Sequence, residues 1–428
     1  MLLRRGAFLL VSAWAALAAD PQALTPAERQ LNLDSFEHVW QTVRDKHWDP
    51  RPGGLDWQAV HDELKPKIDQ ATTMDQAREV MGSMLARLKQ THFGIVPAQV
   101  YEELDSPGAR DGTCGLEARV IEDQALVTSV EAGSPAAAQG VRPGWQIVSV
   151  DGKEVAPAIR KIREQFASST LRDLLSSRSV TSRLNGAAGS SVRIDFADGD
   201  GHPVSVELKR ASPRGTMAKL GYLPPMYFWV ESRKVRPDIG YVRFDLFFEP
   251  EALAKAFAGM VDACRECSGF IIDLRGNPGG IGGLATGVAG WFVPQTGLRL
   301  GTMQLRQASI KFVIFPRPEP FSGPLAILVD GCSASTSEIF AGGLQDLKRA
   351  RIFGTRTAGA ALPSQFERLP NGDGFQYAIA NYISEGGKPL EGLGVTPDEE
   401  VKLNRRQLLD GHDPVLEAAE AWIQKQKQ

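Results

Sequence analysis

From residue 240 onward, short and almost wholly apolar runs alternate with stretches of helical spacing, and that alternation constrains the fold more than any other feature. The runs 240–246, 269–274 and 325–329 read as strands, the last being Leu325, Ala326, Ile327, Leu328 and Val329 without a polar residue. Segments 251–263, 337–344 and a stretch opening near Gly283 carry the helical pattern. A strand that is apolar on both faces must be covered on both faces, which is how the buried sheets of α/β cores are built.

The rest of the chain has two other textures. Over 26–100 the apolar residues recur at helix spacing, as in Phe36, Val39, Trp40 and Val43, and again in Met81, Met84, Leu85 and Leu88. The Pro- and Gly-rich stretch 50–54 reads as a loop between helices, and Trp40, Trp48 and Trp57 as core. Over 112–211 short strands and turns take over: 116–121 and 124–130, a small helix at 136–139, a strand at 146–150 and a turn at Asp151-Gly152. The expected fold is therefore α+β and multidomain: a helical N-terminal region, a β-rich domain, and an α/β core over 215–428.

The first residues read as an address. Arg4 and Arg5 precede an apolar run over 7–17, and the small residues Ala18 and Ala19 follow, which is the layout of a secretory signal over 1–19. The run is shorter than a spanning helix needs. The expectation is an exported protein, periplasmic or extracellular, with no stable membrane insertion after signal cleavage. A formal net charge of −3 and the lack of a basic, aromatic-interleaved stretch give no support for a nucleic-acid partner. Four cysteines are too few for a disulfide scaffold. Cys264 and Cys267 form a C-x-x-C at the end of a helix-like segment, with no second pair or histidine cluster to complete a zinc site, so they read as a local disulfide or two plain thiols.

Two motifs can carry chemistry. In the stretch from Leu325 to Ile339 a buried strand ends, small residues make a tight turn and a helix begins at Ser335. A serine there faces free helix N–H groups and the positive end of the helix dipole, which suits a developing oxyanion. Ser335-x-x-Glu338 is equally a capping box, a role that specifies no chemistry. The second motif, Asp273-Leu274-Arg275-Gly276-Asn277-Pro278-Gly279-Gly280, is a strand running into a glycine-rich loop. Such a loop brings bare N–H groups against a ligand, although alone it could be a tight turn or a weak phosphate loop. It lacks the Lys-Ser/Thr of a Walker motif and the spacing of a dinucleotide fingerprint.

Together these motifs resemble the C-terminal-processing and tricorn-core serine peptidases, whose signatures are D-L-R-x-N-x-G-G and S-A-S-x-S-E-I. The later Gly394-Val395-Thr396-Pro397-Asp398 is similar to the family's G-V-x-P-D. The A-G-S-P-A-A and G-V-R-P-G-W texture within 112–211 resembles bacterial PDZ domains. The resemblance implies a ClpP/crotonase-like core with Ser335 as nucleophile. It implies an oxyanion hole from the N–H groups of Gly279 or Gly280 and of Thr336. A PDZ-like domain would capture a peptide terminus at Cys114-Gly115-Leu116, so Gly115 and Leu116 are the expected peptide-binding residues, unless that domain is a lid that binds nothing strongly.

The chain departs from the better-known branch, which pairs the serine with a lysine in a downstream G-K-G segment. The matching stretch here is Thr357-Ala358-Gly359-Ala360-Ala361, and Lys348 and Lys388 lie off the motif. Resemblance to the tricorn-like branch instead implies a histidine and a carboxylate. His92, in Leu88-Lys89-Gln90-Thr91-His92, matches that branch's L-x-x-S-H, and Glu391 precedes the G-V-x-P-D motif. Thr91 stands where the branch's serine supplies a hydroxyl. The other histidines, His38, His47, His61, His202 and His412, read as helix-surface or loop residues.

The expected function is hydrolysis of peptide bonds in peptides or unfolded proteins by a Ser335–His92–Glu391 triad through an acyl-enzyme, with no metal or organic cofactor. Two alternatives stay open here. One is a catalytically inactive protein on the same scaffold that binds peptides or small ligands. The other is an esterase-like hydrolase using the same triad. Oligomeric state is not legible in the sequence.

Overall fold

The computed structural model describes residues 23–99, 112–219 and 226–426; the signal sequence read at 1–19 lies outside the described residues. At its centre is a six-stranded sheet in the order Val230–Arg236, Ile239–Phe244, Gly269–Asp273, Leu325–Val329, Arg351–Gly354, Glu399–Glu400. The first pairing is antiparallel and all later ones are parallel. Gly269–Asp273 and Leu325–Val329 are buried along their whole length.

Successive side chains of these strands point to opposite faces, and each face has its own helices. Ile272 and Ile327 share a core with Leu253 and Phe257 of Pro250–Ala263, Ala285 of Gly282–Ala289 and Phe340 of Thr336–Asp346. On the other face Ile271, Ala326 and Leu328 meet Val415, Ala419 and Ile423 of Pro414–Lys425. Cys264 and Cys267 are joined as a disulfide where Pro250–Ala263 ends.

The N-terminal helices Pro26–Lys46, Trp57–Asp69 and Met74–Ala86 are capped at their starts by Thr25, Asp56 and Thr73. Trp40 and Trp57 each donate an indole N–H to the other's backbone carbonyl at 3.0 Å, so both rings are buried with their polar atoms satisfied. The next strand, Gly94–Val96, pairs antiparallel with Gly374–Ala378, whose other neighbour is Ser364–Arg368. Phe36, Met81 and Leu85 share a core with Phe375 and Tyr377. The helical N-terminus is thus welded to a hairpin from the far end of the chain.

The β-rich unit has the strand order Leu116–Ile121, Gln124–Val130, Gln146–Val150, Ser191–Ala197, Pro203–Lys209. It also carries helices Ala156–Gln165 and Arg172–Leu184, which the strand-and-turn reading of this segment left out. The second is rich in serine, a residue that competes for its own backbone in isolation. Here Ser176 donates to Arg172 O at 2.6 Å, and Leu174, Val180 and Leu184 are buried. Burial of that face overrides weak local propensity.

Candidate active site

Three adjacent parallel strands each deliver a loop to one end of the central sheet, the end where open α/β sheets place their ligand crevice. Gly269–Asp273 leads into the 275–281 loop, Leu325–Val329 into the 330–335 turn, and Arg351–Gly354 into the 355–361 segment.

Ser335 sits at the N-cap of Thr336–Asp346 with φ 56° and ψ −118°. A non-glycine residue held there stores on the order of 1–3 kcal/mol of strain, as at a nucleophile elbow. Two contacts hold it. Its N–H is 2.8 Å from Ala360 O and 3.0 Å from Glu338 Oε2. The Glu338 carboxylate is fully buried and also accepts from the Thr357 hydroxyl (2.5 Å), Gly359 N–H (2.7 Å) and Ala360 N–H (2.9 Å). Burial pushes its pKa up to about 7 against the pull of those donors. Glu338 therefore ties the serine turn to the 357–361 segment. Read from the sequence as a helix cap alone, it was missed as a second anchor of the site; four converging donors appear only in three dimensions.

His92 comes from the other end of the chain. It has φ 60°, two residues before the strand Gly94–Val96. Its Nε2 lies 3.2 Å from Ser335 Oγ, and its Nδ1 lies 2.8 Å from Thr91 Oγ1. Thr91 in turn donates its hydroxyl to Glu391 Oε2 at 2.9 Å and its backbone N–H to Glu391 Oε1 at 2.9 Å. Ala361 N–H completes the carboxylate's set at 3.0 Å. Among the described residues no hydrogen bond joins Glu391 to His92, and the Thr91 hydroxyl stands between them. A hydroxyl that gives its proton to a carboxylate accepts from Nδ1–H, which leaves the Nε2 lone pair for Ser335. Burial, with the Arg178 guanidinium as the second cause, lowers the His92 pKa to about 3, so the ring is neutral at neutral pH. Burial raises that of Glu391, opposed by the Thr91 and Ala361 donors.

The glycine loop lies against the serine. A Cβ on Gly279, whose φ is +101°, would come within 2.7 Å of both Ser335 Cβ and Thr336 N, so only glycine allows this approach. The N–H of Gly279 is already given to Asn277 Oδ1 at 2.9 Å. The N–H groups of Gly280 and Thr336 carry no hydrogen bond among the described residues.

Of the remaining histidines, His47 is not a surface residue. It is 1% exposed, stacks on Trp48, and lies 2.9 Å from Gln90 Oε1, where it buttresses the turn that carries His92. Lys348 and Lys388 are exposed. One continuous cavity contains His92, Ser335, Thr336 and Gly280 and extends to Gly115 and Leu116 on the β-rich unit. Gly115 has φ 71°, and its N–H is 3.1 Å from Thr113 Oγ1. The β-rich unit is tied to the crevice by Arg119 Nε to Asp330 Oδ2 at 3.0 Å and by Arg243 to Glu117 at 2.8 Å.

The pattern of peptidase family S41 matches residues 238–401, and that of the tricorn protease C1 domain matches residues 30–86. The chain carries a peptidase family S41 domain and is a serine peptidase. The peptidase is 26% identical over 412 residues to a carboxyl-terminal-processing protease of Synechocystis sp., covering 92% of this chain and 86% of that one. It is also 26% identical to tricorn protease homolog 1 of Streptomyces coelicolor, over 93% of this chain but 35% of that longer protein. Among solved structures its fold is similar to that of the photosystem II D1 C-terminal processing protease, with TM-score 0.58 at 23% identity, covering 92% of this chain and 100% of that one.

Proposed function

We propose that this peptidase hydrolyses peptide bonds through an acyl-enzyme on Ser335, with His92 as general base and then general acid. Glu391 acts through Thr91. The observation that carries the reading is the chain of contacts Ser335–His92–Thr91–Glu391, with steps of 3.2, 2.8 and 2.9 Å. As the substrate carbonyl enters the crevice, Ser335 Oγ attacks its carbon and His92 Nε2 takes the hydroxyl proton. The negative charge on the carbonyl oxygen is met by the N–H groups of Gly280 and Thr336, which carry no hydrogen bond among the described residues. Collapse breaks the C–N bond, and His92 returns its proton to the departing amine. Water repeats the sequence to release the acid and regenerate Ser335.

The PDZ-like reading of 112–211 extends the proposal to peptides with free termini, held near Gly115 and Leu116 while a distal bond reaches Ser335. The continuous cavity and the position of Leu116–Ile121 at its sheet's edge support it. Export rests on the residues at 1–19; no helix among the described residues is long and apolar enough to cross a membrane. The non-catalytic alternative is less favoured, because a pure binder has no use for a strained serine aligned on a buried neutral histidine.

The test is labelling of the purified protein with a fluorophosphonate. Wild type should react, while Ser335→Ala and His92→Ala should not, at unchanged circular dichroism. A folded wild type that neither labels nor cleaves any peptide sinks the proposal.

A further inference from the structure

Gly94–Val96, Gly374–Ala378 and Ser364–Arg368 form a three-stranded sheet beside the nucleophile. Phe375 and Tyr377 face the helical core. By strand alternation Gln376 faces the other way, into the cavity that holds His92 and Ser335. Gln376 lies opposite Gly94 on one neighbouring strand and Phe366 on the other, so this wall continues directly from His92. Its polar residues along the cavity are Gln365 and a bonded pair, in which Gln376 Nε2 donates to Ser364 Oγ at 3.0 Å.

The other end of that amide is anomalous. Gln376 is 5% exposed, lines the cavity, and its Oε1 has no hydrogen-bond partner. An unpaired buried amide oxygen costs about 1–3 kcal/mol, which a core position would lose little by replacing with leucine. Ligand pockets, by contrast, are mostly apolar with a few placed polar groups that become satisfied only by the ligand.

We infer that Gln376 and Ser364 form the base of a specificity subsite that takes a substrate side chain ending in a carboxamide, glutamine or asparagine. The proposal rests on the peptidase reading above and adds a substrate preference to it. The Gln376 oxygen accepts the ligand's N–H, and the Ser364 hydroxyl, which already accepts from Gln376, donates its proton to the ligand's C=O. Val96, Leu362 and Phe366, which line the cavity with them, pack the aliphatic stem. A cationic side chain finds no counter-charge on this wall. Glu367 is on the opposite face of the sheet, within reach of His38, Lys46 and the Tyr377 hydroxyl. The other acids lining the cavity, Glu117, Glu131, Asp151, Glu231 and Asp245, stand on elements outside this sheet. Reversing the Gln376 amide changes which end is free but not the ligand, because a carboxamide offers both a donor and an acceptor.

The experiment profiles wild type, Gln376→Leu and Gln376→Glu against a fluorogenic peptide library varied one position at a time, with fluorophosphonate labelling run in parallel. At a single position wild type should favour glutamine or asparagine over leucine and methionine by about tenfold or more, since a polar site rejects an analogue that leaves it unpaired. Gln376→Leu should invert that preference, and Gln376→Glu should move it to lysine and arginine at the same position. Labelling of each variant reports separately whether Ser335 remains reactive. Identical profiles with labelling intact would overturn the subsite and mean that water alone meets the Gln376 oxygen. Loss of labelling in wild type would instead overturn the peptidase reading, and the subsite with it.

Discussion

The Thr91 hydroxyl lies 2.9 Å from Glu391 Oε2 and stands between that carboxylate and the His92 ring. The hydrogen-bond path from the carboxylate to the His92 ring therefore runs through a neutral hydroxyl, oriented as acceptor toward Nδ1.

That arrangement predicts that Thr91→Ser will keep near-wild-type acylation and Thr91→Val will lose about 10²-fold or more in rate, the usual scale for disabling a general base. Glu391→Gln should cost a similar amount. The double variant Thr91→Val/Glu391→Gln should be no worse than the worse single one, because the two residues act as one unit. Additive losses would show that Glu391 works by a route that bypasses Thr91.

Glu338 should prove as necessary as the triad without touching substrate. Glu338→Gln turns an NH₂ toward two of the four donors, whichever oxygen it replaces, and unmatched buried groups of this kind cost about 1–3 kcal/mol each. A lower melting temperature and slower labelling are expected, with the loss in kcat rather than KM. Unchanged labelling in a folded variant would reduce Glu338 to a helix cap.

Its titration has a definite sign. Folding raises the Glu338 pKa from 4.5 to about 7, so its contribution to stability is fully present below 4.5 and is lost as pH rises toward 7. Folding lowers His92 from 6.5 to about 3, so its contribution is present above 6.5 and is lost as pH falls toward 3. Between 4.5 and 6.5 the two oppose each other. Glu338→Gln should make stability rise more steeply with pH across that window, and His92→Ala should make it fall, by up to about 1.4 kcal/mol per pH unit each. Chemical denaturation at a series of pH values measures both.

Arg178 bears on the same histidine. Its charge is the second cause of the low His92 pKa, after burial. Removing it in Arg178→Gln should raise that pKa and move the acid limb of fluorophosphonate labelling to higher pH. A limb that stays in place would show that burial alone sets the base.

Arg119→Met tests how the β-rich unit bears on the crevice. It leaves Asp330 without the guanidinium that now meets it at 3.0 Å, although the carboxylate keeps the Gly276 and Cys332 N–H groups at 2.9 Å each. Breaking one side of such a largely buried pair costs about 3 kcal/mol. Thermal unfolding should register this, and labelling should slow, because Gly276 opens the loop that packs on Ser335.

The sequence by itself determined the local pieces. The apolar run Leu325–Val329 must be a buried strand, the small residues after it must make a tight turn, and the helix that follows must expose N–H groups at Ser335, because each of these follows from neighbours a few residues apart. Family resemblance then picked out His92, Thr91 and Glu391 by their motifs. The serine-rich helix Arg172–Leu184, the burial of His47 and the second role of Glu338 were not legible, since each is decided by partners distant in the chain. The tertiary structure alone brings His92 to Ser335. It does so by pairing Gly94–Val96 with Gly374–Ala378 and burying Phe36 against Phe375. It also interposes Thr91 before Glu391, 300 residues away. Short-range geometry shapes a turn or a cap, but only packing between remote segments, with their hydrogen bonds shielded from water, can align Ser335, His92, Thr91 and Glu391 in one chain of contacts.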